Sequence, residues 1–549
     1  MKKIVSTFVL LFLSLLLCSC SQFVDFASAN FLPAPVPDHS IEITAGGAVT
    51  GTNKIQRSGN VYTFTGDIVG SIVIFRNGIV VDGAGYTLQG NGYRTGIWFQ
   101  AITDVTIKDL HITNLTCGIE FTYGMEMDGC TDITLSGNTI TDNEYGITFW
   151  LFSGSNHVLD NIIANNTYGI ILSHCPNNIF RNNQLINNKY NFWVSCETSV
   201  QMTCFINDID NSNTVNGKPV IYWVNEQDKT VPSDAGYVAL VNCTDITVQN
   251  LVLTNNSQGI LLVATNNSLI TKNHIKNNGY GIVLFAPYEQ CSGNCVTENN
   301  ITANTKDGIH SWNSENTIIT GNSITNNQEN GVLFYDSRRA AISENTITAN
   351  KENGIKLWGY DSSDNTVSGN HIENNENGIA LDNAFNNTIT RNTITSNIVW
   401  GIILSYNGFP PFSNNTIYQN DFANNQQAVY TVDELLPTMP DMEPATDRWD
   451  NGSEGNYWSN YNGTDSNGDG IGDTPYIINE RNQDNYPLMN PVVIPELSDE
   501  EKPTTPTTNP FPTLIAATTV IVAIAVVGAA LLVYFAKVKK TTGEAEKQY

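Results

Sequence analysis

Glycine followed by isoleucine or valine recurs along this chain at Gly96, Gly118, Gly146, Gly169, Gly259, Gly281, Gly308, Gly331, Gly354, Gly378 and Gly401. The successive spacings are 22, 28, 23, 90, 22, 27, 23, 23, 24 and 23 residues, and Asn191-Phe192 supplies a further copy before a long excursion. A fixed period of about 20–25 residues means stacked repeats, each too small to bury a core alone. The half-unit between the glycines repeats too, as NNTITRNTITSN at 386, ENTITANKENGI at 344 and GNSITNNQENGV at 321.

One unit, NTITANKENGIKLWGYDSSD at 345–364, shows what the repeats build. Ile347, Ile355 and Leu357 alternate with polar neighbours, which is the period of a strand, so Ile355 and Leu357 face in while Lys356 and Trp358 face out. Asn tolerates left-handed turns and Gly takes them freely, and stacked Asn can hydrogen-bond up and down as a ladder. Ile then lines the core, Asn builds the corners and Gly lets the chain turn beside the next strand. The expected fold is all-β, a right-handed parallel β-helix (solenoid) of coils of 22–24 residues with capped ends. Its hand follows from the crossover preference. Leucine-rich repeats have similar periods but need Leu-x-x-Leu-x-Leu, where this chain has Ile, Thr and Asn.

Polar chains of low charge are often disordered, but those lack aromatic residues. Here 22 Tyr, 22 Phe and 9 Trp stand in 549 residues. A net charge of −27 argues against a nucleic-acid partner, and against polyanionic glycans unless a cation bridges. Residues 1–29 read as a signal peptide: Met1-Lys2-Lys3, the apolar run Ile4–Leu17, then Ala27-Ser28-Ala29 before the cut. A lipobox, Leu17-Cys18-Ser19-Cys20, competes with that cut. The run Leu514–Ala536 is apolar throughout, so residues 513–536 are expected as a transmembrane helix, with Lys537, Lys539 and Lys540 holding the tail 537–549 inside. Residues 491–512 form a Thr/Pro-rich stalk. The expected location is the outer face of the cell membrane, single-pass, with the C-terminus cytoplasmic. Cys117, Cys130, Cys175, Cys196, Cys204, Cys243, Cys291 and Cys295 make an even set, which in an exported chain points to disulfides. Cys291–Cys295 and Cys117–Cys130 would close overlong repeats, and Cys175 and Cys196 fall on neighbouring coils.

The opening 72-IVIFRNGIVVDGAGYTLQGNG-92, the excursion 216-NGKPVIYWVNEQD-228, and the exit 455-GNYWSNYNGTDSNGDGIGDTPY-476 with 483-QDNYPLM-489 resemble NosD-type proteins. The resemblance covers residues 41–490 and implies a right-handed parallel β-helix akin to carbohydrate-binding and sugar-hydrolysing repeat proteins. It also brings in copper, since the family is named for a periplasmic copper-binding protein tied to nitrous oxide reductase maturation. The stalk and span are similar to those of archaeal surface proteins. Open solenoid ends need covers. Residues 30–71 are therefore expected as an N-terminal cap, 72–430 as the β-helix with a side loop at 197–240, and 431–490 as a C-terminal cap.

Four sets of residues carry candidate chemistry. In 465-DSNGDGIGD-473, side-chain oxygens of Asp465, Asn467, Asp469 and Asp473 with the Ile471 carbonyl match the first part of a calcium loop. Tyr476 stands where an EF-hand has Glu, and Asp484 is a candidate to complete the shell, so calcium is expected in a structural role. Four residues after successive glycines come Phe285, Trp312, Tyr335 and Trp358, then Asp382. With coils about 4.8 Å apart they make an outward aromatic stripe of the kind that stacks on sugar rings. Two residues after glycine come His310 and Lys356, and on other coils Trp98, Glu120 and Trp193. His310, Lys356 and Asp382 are the catalytic candidates if this face works as a lyase, epimerase or hydrolase, though neither a paired-Asp hydrolase pattern nor an Asp-Pro-x-Asp motif is present. Copper would want Met, Cys and His. Met125-Glu126-Met127 near Cys130, and Met439 and Met442, are the thin candidates, so copper is not expected. Sequons at Asn114, Asn165, Asn242, Asn255, Asn266, Asn300, Asn386, Asn414, Asn451 and Asn462 offer glycosylation sites. The leading expectation is a non-enzymatic surface protein that touches a polysaccharide or glycoprotein through the stripe.

Overall fold

A computed structural model describes residues 41–123, 129–196, 201–287, 290–406, 413–433 and 447–492. They form a right-handed parallel β-solenoid of about 15 turns. A coil has three walls. In one, a long strand Asn353–Trp358 is followed by Thr366–Ser368 and His371–Glu373. Each wall stacks in parallel register on the next coil, with Ile347 on Ile372 and Ile355 on Ile379. These isoleucines are fully buried. The signal peptide, the membrane span and the stalk beyond residue 492, all expected from sequence, lie outside the described residues. Among the described residues no helix is long and apolar enough to cross a membrane.

The corners explain the Asn and the Gly. Each corner turns on one left-handed residue of almost any type, such as Glu344, Ala349 or Asn374 (φ 57°, 57° and 58°). The next residue is a buried Asn: Asn345, Asn350 or Asn375. Its side chain ties coils together. Asn322 Nδ2 donates to Asn345 Oδ1, Asn345 to Asn370, Asn370 to Asn392 and Asn392 to Asn420, each at 2.9 Å. The repeating glycines do not need left-handed geometry. They need space, because a Cβ on Gly354 would lie 2.6 Å from Ile372 Cγ2 and 2.7 Å from the Gly378 carbonyl.

Two of the corner columns run into a carboxylate. Asn415 Nδ2 donates to Asp447 (2.9 Å), and the Asn456 backbone N–H donates to Asp484 (2.6 Å). A fourth column, on the residues just before the glycines, runs the other way. Asn377 donates to Asn353 (3.1 Å), Asn353 to Asn330 (2.8 Å) and Asn330 to the Asp307 carboxylate (2.8 Å).

The excursion is not a side loop. Thr214–Val215 pairs antiparallel with Lys218–Pro219 in a tight hairpin, and Lys218–Val224 then pairs in parallel with Tyr237–Val241. The third wall of a first rod (residues 41–215) thus continues as the long wall of a second (218–433). Across the hairpin the inside changes sides. Ile221, Val238, Leu240, Ile260, Leu262, Ile282 and Leu284 face the second core. Their strand neighbours Val220, Tyr222, Tyr237, Ala239, Leu261, Val283 and Phe285 belong to the first. Reversing strand direction and side together preserves the hand of the coil.

Hairpins at Ile41–Thr50 and Ile55–Phe64 close the N-terminal end. At the other end Phe422, Trp458 and Tyr476 stack at 4.6 and 4.4 Å. The expected Cys117–Cys130 and Cys291–Cys295 disulfides do not form, and all four side chains are thiols. Cys291 points into the second core, while Cys295 stands on an outward position of its strand. Likewise Cys130 lies in the first core, while Cys117 bonds Thr148 at a corner of the long wall (3.3 Å). Cys175 and Cys196 both lie in the first core. Burial pushes the Cys130 thiol up to about 11 and that of Cys291 to about 12.

Candidate functional site

Strand alternation puts the stripe on the outer surface of the second rod's long wall. Register aligns Phe285 with Trp312, Trp312 with Tyr335, and Tyr335 with Trp358. Ring centroids are 4.9, 5.7 and 4.6 Å apart, and the rings meet edge to face at 69°, 82° and 68°. Phe285 is covered, with its ring 5.5 Å from Phe205 of the first rod's end and only 6% of its surface exposed. Trp312, Tyr335 and Trp358 emerge from beneath that end half-buried. Lys356 Nζ sits 5.1 Å above the Trp358 ring. The open part of the stripe is therefore three aromatic edges and faces on a rigid wall, with a cation at one end.

The catalytic candidates do not come together. His310 and Lys356 share a row but are separated by Leu333, two coils or about 10 Å apart. Asp382 follows Trp358 in the other row. His310 is buried, with Nδ1 2.7 Å from Asp307 and its ring 5.3 Å from Tyr280. Glu120 bonds Thr95 (2.8 Å), and burial raises its carboxyl. Trp98 is buried, and Trp193 leans on Tyr168 at 5.9 Å.

The acidic loop is folded by its own backbone. The Asp465 carboxylate accepts from Gly468 N (2.7 Å), Asp469 N (3.2 Å) and Gly470 N (2.9 Å). Asp469 accepts from Ile471 N (2.9 Å) and from Asn467 Nδ2 (2.9 Å). Asp473 turns to the Ser466 hydroxyl (2.7 Å), and that bond holds its carboxyl below the usual range. Asp484 does not join this loop. It is buried against Asn456, Trp458 Nε1 (2.9 Å) and Tyr486 N (3.0 Å), and burial pushes it up to about 6. Among the described residues no three His, Cys, Asp or Glu side chains gather as a metal-binding group. The copper candidates Met125, Met127, Met439 and Met442 lie outside the described residues.

Nothing in the spacing of the repeats marks Asp447 or Asp484 as a column end. The signal was there in Asp307, an acid where the repeat has Asn before Gly.

Continuous coils, alternating walls and amide corners define a right-handed parallel β-helix protein. The chain belongs to the NosD family, whose model, described as periplasmic copper-binding protein, matches residues 46–239, 227–300 and 286–463. No curated protein matches it. Among solved structures it is similar to a double mutant of the periplasmic alginate epimerase AlgG, at 14% identity and a TM-score of 0.33, covering 74% of this chain and 83% of that one. It is also similar to the A-module of the mannuronan C-5 epimerase AlgE6 from Azotobacter vinelandii (14%, TM-score 0.27, 71% and 88%). A third is pectate lyase Pel9A (13%, TM-score 0.28, 44% and 73%).

Proposed function

We propose that this protein is a non-enzymatic glycan-binding β-helix, held at the outer membrane face by residues 513–536, and that Trp312, Tyr335 and Trp358 form its sugar platform. The observation that carries this is a half-exposed aromatic row on the outer wall, beside Lys356. Base or sugar rings stacked on aromatic faces gain from dispersion and apolar burial, and exposed aromatic rows otherwise cost solubility. Trp358→Ala and Tyr335→Ala should each weaken retention on an immobilised polysaccharide panel at least fivefold and release no products. Unchanged retention in both variants, or shortened chains from the parent protein, would sink the reading.

Calcium at 465–473 is part of the same proposal. The backbone bonds to Asp465 give the loop the tight path such a site needs, and Asp473 would have to leave Ser466 to complete it. Chelation should lower the melting temperature of the C-terminal end, and an unchanged melt rules the ion out. Copper is not part of this proposal, its candidate ligands Met125, Met127, Met439 and Met442 lying outside the described residues.

A further inference from the structure

The place where the chain changes sides has features that neither core nor stripe accounts for. A notch of 460 Å³ opens there, lined by six asparagines, Thr167 and Lys189. It exists because the switch ends a corner column. Asn166 donates to Asn188 (2.9 Å), Asn188 to Asn191 (3.0 Å), and Asn191 then donates twice to the Asn255 carbonyl of the second rod (2.7 Å each). The next coil winds on the other side, so the corner is left open. The notch falls within the size range of small-ligand sites, about 300–1,000 Å³.

Lys189 is the one charged residue lining it. Its Nζ lies 4.9 Å over the Tyr190 ring, and Tyr190 Oη lies 2.6 Å from Thr305 Oγ1. Lys306 follows, with Nζ 5.3 Å over Tyr280, and Tyr280 touches His310, two residues before Trp312. A band of aromatic rings and two cations thus runs from the notch to the stripe. Behind Tyr190, Tyr168 and Tyr145 continue the stack at 5.1 and 5.2 Å. The neighbouring acids are Glu144, beside Tyr145 and two coils from Lys189, Glu329 and Glu352 one and two coils past Lys306, and Asp307 on His310, so Lys189 and Lys306 are the cations of a mixed surface.

We infer that this joint binds the acidic group of a polysaccharide, a sugar bearing a carboxylate or sulfate. Lys189 and Lys306 take the anion, and the notch amides take neighbouring hydroxyls. Charge-assisted hydrogen bonds are about twice as strong as neutral ones, and an amide offers donor and acceptor to vicinal hydroxyls. Tyrosine faces hold the two ammonium groups in place. The inference rests on the glycan reading for its ligand class, and not on the stripe.

The test is calorimetric titration of the full chain with oligogalacturonate, with its methyl ester, and with polyglutamate, at one salt concentration. The acid should bind at least tenfold tighter than the ester. Lys189→Gln with Lys306→Gln should erase that gap and leave ester binding, which reports the stripe, unchanged. Asn187→Ala should weaken oligogalacturonate and not polyglutamate. Equal affinity for acid and ester, or polyglutamate binding as tightly as the sugar, overturns the inference. Ester binding that survives Trp358→Ala fails the stripe reading alone, and no binding of either sugar fails both.

Discussion

Replacing Asn345 with Ala tests the corner columns directly. Asn345 is 1% exposed and takes part in four side-chain hydrogen bonds. Its Oδ1 accepts from Asn322 N and Nδ2, and its Nδ2 donates to Ile319 O and Asn370 Oδ1, all at 2.9 Å. Not every partner is stranded by the change. Asn322 Nδ2 keeps Val296 O (2.8 Å) and Thr320 O (3.1 Å), and Asn370 Oδ1 keeps Asn345 N (3.0 Å). Asn322 N, however, loses its acceptor inside the wall. At about 1 kcal/mol net for each of the other three lost bonds and about 1–3 kcal/mol for the stranded buried donor, the expected cost is about 4–6 kcal/mol. Thr346→Ala, on the exposed side of the next residue, should stay within about 0.5 kcal/mol. Urea unfolding followed by far-UV circular dichroism compares the two, and the m-value reports whether the rods still melt together. If Asn345→Ala costs no more than Thr346→Ala, the columns do not stabilise the fold and the explanation of the repeat is wrong.

Gly354→Ala should cost about 1–3 kcal/mol by overpacking, because the added methyl meets backbone oxygen and a core isoleucine, and the melt of the same variant checks it. Burial pushes Asp336, Asp421 and Asp484 each up to about 6. A carboxyl whose folded pKa exceeds its unfolded one gives stability that is complete below about pH 4 and lost as pH rises through 6. Calorimetric melts should therefore be higher at pH 5 than at pH 7.5, and Asp421→Asn should narrow that difference; a flat profile refutes it. Reductant should leave the melting temperature unchanged, and thiol titration of the native chain should find little beyond Cys295. A fall in melting temperature with reductant would show disulfides.

The period, the inward isoleucines and the outward stripe were legible because each depends on spacing alone. Alternation fixes which way Ile355 and Trp358 point, whatever the neighbours do. Sidedness was not legible. Val238 and Ala239 both look like core strand residues, and nothing in the run 237–241 says that they face two different cores. Sequence suggests glycine for its turning freedom, whereas the contact at Gly354 is one of crowding between coils that spacing does not reveal. The disulfides failed for a similar reason. Cys291 and Cys295 are near in sequence, but a strand wall separates an inward from an outward position. Of the candidate site, the row Trp312–Tyr335–Trp358 followed from register, while the cover over Phe285 came from Phe205, eighty residues upstream.

The Asn columns have an electrical consequence. Each amide is a dipole, and stacking them head to tail adds the dipoles, as aligned peptide groups do in a helix. A column presents its N–H₂ end, and so positive potential, where it stops. That is where Asp447, Asp484 and, for the column of opposite sense, Asp307 stand. At these three ends the carboxylates neutralise the wires. Adding or removing whole coils within a rod keeps both the wire and its terminal acid, so the length of this protein can vary in steps of one repeat without redesigning its ends.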